Sequence, residues 1–81
     1  MAARMTREEA AGYIERFLAG TDGPKEWDWF ITVRKKDPEI EKIRLICAGL
    51  PEAYPPIGRE YCGPSGLRVL RELLHELRRP E

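Results

Sequence analysis

The chain has 81 residues, of which 42% are apolar and 35% charged, and its 14 basic and 14 acidic residues cancel. A chain of this length encloses one modest apolar core, so the composition indicates a single small globular domain with a charged exterior and excludes a disordered tail. The neutral total excludes a global electric field that would draw the molecule to nucleic acid or to an acidic membrane.

The N-terminus and the cysteine content indicate where the chain works. The opening MAARMTREEAAG has no apolar signal region, and no stretch approaches the length of a membrane span. Two cysteines in a non-secreted chain are typical of reduced thiols, so we expect a cytoplasmic protein. We interpret Cys47 and Cys62 as two small apolar residues. The alternatives are a disulfide between them and a metal site with His75, but paired metal-ligand spacing is missing, and we expect no metal and no cofactor.

The stretch TREEAAGYIERFLAG predicts a first helix over residues 6–19, after a disordered start at residues 1–5. Thr6 followed by Glu9 is a capping box, in which each side chain satisfies a backbone donor of the first turn. Gly20 supplies a left-handed C-terminal stop. The side chains that recur at helical spacing and should face the core are Ala10, Tyr13, Ile14, Phe17 and Leu18.

The stretch KEWDWFITVRK fits both a strand and a helix. As a strand it alternates apolar residues onto one face, and its aromatic and β-branched content favours that interpretation. No second strand-like run exists to pair with it, so we predict a short helix over residues 24–33 that begins at Pro24. A homodimer that pairs this stretch across a two-fold axis would restore the strand. We expect Trp27 and Phe30 in the core, whereas Trp29 stays divided between core and binding surface.

The stretch KDPEIEKIRLICAGL predicts a further helix. Asp37 caps it, Pro38 suits its first position, and Gly49 marks its end. Leu45 points away from the apolar stripe of this helix, so it is either an exposed leucine or covered by a second neighbour. The stripe consists of Ile40, Ile43, Cys47 and Leu50, with Ile46 at its edge.

The stretch LPEAYPPIGREYCGP has neither helical nor alternating periodicity. We expect it to cross the surface as an ordered, Pro-rich strap between the last two helices. Its three large apolar side chains should anchor it to the body of the domain, and these are Tyr54, Ile57 and Tyr61.

The final helix begins at Pro64 and has a wide leucine face. On its opposite arc, at about 100° per residue, lie His75 and four arginines: Arg68, Arg71, Arg78 and Arg79. This basic arc could follow a phosphate backbone. Arginines near a helix C-terminus also compensate the helix dipole, and Arg68 and Glu72 form an ordinary helical pair, so a structural role explains the arc equally well.

These patterns predict an all-α single domain over residues 6–79, a bundle of three main helices and a short aromatic one. No nucleophile elbow, phosphate loop or metalloprotease motif occurs, so we expect no enzyme. The remaining hypothesis is a protein-interaction module with an unidentified partner, or a homodimer, that binds through Trp29, Tyr54 and Leu45. The alternative is a nucleic-acid-binding protein that uses the arginine arc.

Several elements together resemble a group of short, uncharacterised bacterial proteins. They are WDWF, then KDPEIEKIR, then LPEAYPP, then Tyr-Cys before a leucine-rich last helix, and they span residues 13–79. The resemblance implies a common fold unit and a bacterial cytoplasmic setting. It implies no activity and no functional residue.

Overall fold

A computed structural model describes residues 4–21 and 23–79 of the chain. These residues form four helices: α1 (Arg7–Ala19), α2 (Pro24–Thr32), α3 (Pro38–Ala53) and α4 (Pro64–Leu77). No strand occurs within these ranges, which confirms the predicted helical class. None of these helices combines the length and the apolarity that crossing a membrane requires. Of the start predicted to be disordered, residues 1–3 lie outside the described ranges, whereas Met5 packs against the core.

The start of α1 is fixed by its own side chains and by the end of α4. In the predicted capping box, Thr6 Oγ1 accepts a hydrogen bond from the Glu9 N–H at 3.1 Å, and Glu9 Oε1 accepts one from the Thr6 N–H at 3.0 Å. The guanidinium of Arg7 then donates to the carbonyl oxygens of Glu76 at 2.7 Å and Leu77 at 3.3 Å. The Glu76 carbonyl also accepts a hydrogen bond from the Arg79 N–H at 3.3 Å, just beyond the helix. Since the last carbonyls of a helix have no amide of that helix to pair with, they are open to Arg7, which joins the two helices.

The aromatic stretch is helix α2, and the strand alternative is wrong for these residues. Pro24 occupies the first turn, and the backbone turns extended at Val33, where φ is −87° and ψ is 122°. Helical spacing brings Trp27 and Phe30 to one side of α2, where their side chains are 6% and 0% exposed. Both rings are therefore core residues, as the sequence predicts.

A cluster of aromatic rings joins α1, α2 and the strap. Phe17 of α1 stacks on Trp27 with 4.1 Å between ring centroids, and Tyr61 of the strap meets both rings edge-on. Tyr13 of α1 stacks on Phe30 at 5.2 Å. Since stacked and edge-on pairs contribute beyond the area they bury, this cluster helps to hold the nine-residue helix α2 in position.

Helix α3 continues past Gly49 to Ala53, so the predicted end at Gly49 is wrong. Pro51 lies inside the helix and has no N–H to donate to the carbonyl of Cys47, four residues earlier. The hydroxyl of Tyr61 donates to that carbonyl instead, at 2.7 Å. The helix therefore passes through a proline because the strap satisfies the acceptor that the proline leaves open.

The strap between α3 and α4 is closed by a hydrogen bond from the Gly63 N–H to the Tyr54 carbonyl at 2.8 Å. Tyr54 and Tyr61 pack against the core as predicted. Ile57 is 85% exposed, so its predicted role as an anchor is wrong. Cys62 takes that role, because its side chain is fully buried and its sulfur lies 2.7 Å from the position a Cβ would have at Gly66.

Candidate functional site

Trp29, the first predicted interaction residue, is covered on one side and open on the other. Its side chain is 39% exposed. The ring of Tyr13 lies 5.7 Å from the indole, and the ammonium of Lys35 lies 4.7 Å from the ring centroid. An indole held between an aromatic ring and a cation has little rotational freedom, which suits a contact residue as well as a structural one.

Lys35 is the residue that sequence analysis missed at this end of α2. Its side chain is 4% exposed, and its ammonium donates to the carbonyl oxygens of Phe30, at 2.9 Å, and Val33. Burial, together with the cation of Arg44, lowers the pKa of Lys35 below its usual 10.5, while the carboxylate of Glu41 opposes the shift. The ammonium thus neutralises the carbonyl end of α2, which has no basic residue in its own last turn.

Arg44 and Glu41 complete the same structural unit. Arg44 Nε and Nη2 donate to the two oxygens of Glu41 at 2.8 and 2.5 Å, and Nη1 donates to the Ile31 carbonyl at 2.8 Å. The hydrogen bonds from Arg44, then that from the Lys35 N–H, lower the pKa of Glu41 to about 2. The buried cations of Lys35 and Arg44 and the half-buried carboxylate of Glu41 together hold α2 against α3. The sequence pattern does not reveal this role of Glu41, because it places Glu41 only in a first helical turn.

The outer face of α3 carries the second predicted residue and a neighbour that the prediction left out. Leu45 is 56% exposed and Ile46 is 37% exposed. We define this face by five positions of α3 that lie away from the core. They are Lys42, Leu45, Ile46, Gly49 and Glu52. Leu45 is thus an exposed leucine, and no second neighbour covers it within the described residues. The signal for Ile46 was present in its position at the edge of the apolar stripe.

Tyr54, the third predicted residue, is half-buried at the C-terminal cap of α3. It packs against the core, and its Cβ lies 3.3 Å from the position a Cβ would have at Gly66. Leu45 lies nine positions earlier on the same helix, so a rise of about 13 Å and roughly half a turn separate the two residues. Leu45 and Tyr54 therefore lie at separate places on the surface and do not form one patch.

The arginine arc of α4 divides into two parts. Arg78 forms ion pairs with Glu15 at 2.6 Å and Glu8 at 3.2 Å, both on α1, and Arg79 pairs with Glu76 at 3.2 Å. Arg68 and Arg71 are exposed, and neither forms an ion pair with any described residue. Arg78 thus joins α4 to α1, and Arg79 pairs with Glu76 of α4. Arg68 and Arg71 are the two arginines of the arc that remain on the open surface.

The two thiols are free and fully buried. Burial, with the nearby Cys62, raises the pKa of Cys47 to about 12, and burial also raises the pKa of Cys62. Within residues 4–21 and 23–79, no cluster of three or more His, Cys, Asp or Glu side chains could hold a metal ion. His75 is exposed on α4 and belongs to no group of this kind.

A groove of about 280 Å³ runs between α3 and α4 beside the outer face of α3. It is lined by Glu39, Lys42, Ile43, Ile46, Leu73 and Glu76. Ile46 belongs to both the groove and the outer face, so the apolar surface of α3 extends toward α4. The region around Leu45 and Ile46 is therefore a candidate contact surface.

Comparison with known proteins identifies no relative of this chain. No protein-family model matches the chain, and neither a curated protein nor a solved structure matches it. The candidate site therefore depends on its own geometry.

Proposed function

We propose that the chain is a small, non-catalytic protein-interaction module that binds another protein chain through the outer face of α3. The observation that carries the proposal is the adjacent exposure of Leu45, at 56%, and Ile46, at 37%, on a helix whose other side is core. Burying a fully exposed leucine or isoleucine side chain contributes about 1.5–3 kcal/mol. Covering the exposed part of these two residues therefore contributes about 1 kcal/mol each, and together they can anchor a contact. Trp29 and Tyr54 stay predicted contact residues outside this face.

The state of the reactive side chains supports a binding role over catalysis. The ammonium of Lys35 is bonded to two carbonyl oxygens, and the thiols are buried with raised pKa values, so none of them is presented as a nucleophile. Free thiols are also typical of a reducing compartment, which supports a cytoplasmic location. In this proposal the unit is a bundle of three main helices and the short helix α2, tied by the strap.

The alternative function, nucleic-acid binding through α4, is supported by two of its four arginines. Arg68 and Arg71 are exposed and unpaired within the described residues, whereas Arg78 and Arg79 are engaged with carboxylates. Retention on heparin that falls steeply with salt, and that Arg68→Ala with Arg71→Ala abolishes, would support this alternative. Elution at low salt would reject it.

The test of the proposed function is affinity capture from the source cell with three versions of the chain. The wild-type protein should retain a partner that Leu45→Glu loses, because a carboxylate on the apolar face opposes its burial. Ile57→Glu is the matched control, since it places the same charge on a residue of the strap that is 85% exposed. A captured partner that survives Leu45→Glu would contradict the proposal.

A further inference from the structure

The outer face of α3 has the spacing of a coiled-coil seam. Lys42, Leu45, Gly49 and Glu52 follow one another at intervals of three, four and three positions. This alternation averages about 3.5 residues, the repeat that keeps a stripe of side chains facing a partner helix. The seam continues for most of a helix that spans Pro38–Ala53.

Within this seam the side chain of Leu45 protrudes, whereas Gly49 leaves a hollow. The two positions are equally far from the level of Cys47, the middle of the seam. Leu45, which is 56% exposed, stands two positions before Cys47, and Gly49 stands two positions after it. A Cβ built at Gly49 has no heavy atom within 4 Å, so the surface there is open. In an antiparallel pair of α3 helices with the two-fold axis at the level of Cys47, each Leu45 would lie over the Gly49 of the other copy.

The charges of the seam have the same symmetry. Lys42 stands five positions before Cys47 and Glu52 five positions after it, and neither forms an ion pair within the described part of the protomer. Ten positions along one helix are a rise of about 15 Å, so these two side chains cannot meet in a single chain. In the antiparallel pair each lysine faces the glutamate of the other copy, whereas a parallel pair would place lysine against lysine and glutamate against glutamate.

We propose that the occupant of this face is a second copy of the chain, with the two α3 helices packed antiparallel and Lys42 of each copy paired with Glu52 of the other. This inference rests on the proposed function, because it names the partner of the same face. The contact of one helix from each copy lies at the small end of specific interfaces, below about 1,200 Å², so we expect a dimer that exchanges with monomer at micromolar concentrations.

The test is a pair of charge reversals measured by sedimentation equilibrium over a concentration series. Lys42→Glu alone and Glu52→Lys alone each replace two attractive contacts of the dimer by two repulsive ones, so each should weaken self-association by about tenfold or more. An equimolar mixture of the two variants should dimerise, because every contact between them is attractive. The variant with both reversals should dimerise like the wild-type protein. None of these exposed changes affects the core, and circular dichroism should confirm equal helix content.

Two further variants separate the seam from the rest of the surface. Gly49→Leu fills the hollow where space is open, so the protomer should fold while self-association weakens about tenfold or more. Ile57→Glu, on the exposed strap, should leave the dimer unchanged. A wild-type chain that stays monomeric at every concentration, or a dimer indifferent to the single charge reversals, would overturn the inference. If that chain still captured a different protein that Leu45→Glu loses, the proposed function would stand and the second copy alone would be excluded.

Discussion

The hydroxyl of Tyr61 donates a hydrogen bond to the carbonyl oxygen of Cys47 across 2.7 Å, and this bond explains how α3 contains a proline. Pro51 cannot donate to that carbonyl, so the carbonyl needs a donor from elsewhere in the chain. The donor comes from the strap, ten residues after the proline. One bond therefore both completes α3 and fixes the strap against it.

Removal of this donor should destabilise the fold. We expect Tyr61→Phe to lower the free energy of unfolding by about 1–3 kcal/mol, because a buried carbonyl loses its partner while the ring stays in the aromatic cluster. Urea unfolding monitored by circular dichroism measures the change. In a Pro51→Ala background the residue-51 amide can donate to Cys47, so the same Tyr61 substitution should cost less. Equal costs in both backgrounds would contradict the role assigned to Tyr61.

The pair of Glu41 and Arg44 should make the fold sensitive to acid. Hydrogen bonds from Arg44 hold the pKa of Glu41 at about 2, below its ordinary value of 4.5. Because the folded pKa is the lower one, this stabilisation is present above pH 4.5 and is lost as the pH falls toward 2. Unfolding free energies measured across that range should therefore fall less steeply for Glu41→Gln than for the wild-type protein. Equal slopes for Glu41→Gln and the wild-type protein would reject the assignment.

The two tryptophans should respond differently to a quencher. Trp27 is 6% exposed and Trp29 is 39% exposed. We expect Trp29→Phe to leave blue-shifted fluorescence that acrylamide quenches poorly, and Trp27→Phe to leave an indole that it quenches readily. Equal quenching in the two variants would contradict the burial of Trp27.

Replacing two of the glycines by alanine should change the stability of the protein in opposite directions. At Gly66 an added Cβ would lie 2.7 Å from the sulfur of Cys62, so Gly66→Ala should destabilise the protein by about 1–3 kcal/mol. At Gly49, in the interior of α3, the added methyl group meets open space, so Gly49→Ala should stabilise it by about 0.5–1 kcal/mol. Thermal unfolding at a concentration where the protein is monomeric compares the two. Stabilisation by Gly66→Ala would show that Cys62 does not pack against Gly66 as described, and destabilisation by Gly49→Ala would contradict the open space at Gly49.

Local chemistry in the sequence is sufficient for most helix boundaries. The Thr6 capping box and Asp37 each satisfy backbone donors within three residues, so the signal and its effect lie in the same stretch of chain. The end of α3 was missed because the group that lets the helix pass Pro51 lies ten residues later, at Tyr61. Ile57 was misjudged because its hydrophobicity does not reveal that the neighbouring Tyr61 and Cys62 already anchor the strap.

The candidate site was predictable only in part. Leu45 stands off the apolar stripe of its helix, and this periodicity already distinguishes an outward residue. Lys35 could not be found in the same way, because its burial depends on where the carbonyl end of α2 comes to lie in three dimensions. The split of the arginine arc likewise depends on α1, whose Glu15 and Glu8 approach Arg78 only in the folded chain.

The most direct test of the central claim, that the outer face of α3 binds a second copy of the chain, is a dilution series of the ¹⁵N-labelled protein followed by NMR from about 1 mM to about 10 µM. The account predicts amide shifts that change with concentration and that concentrate at residues 42–53, with the strap around Ile57 unaffected. Spectra that are the same at every concentration, or changes centred on Arg68 and Arg71, would contradict it.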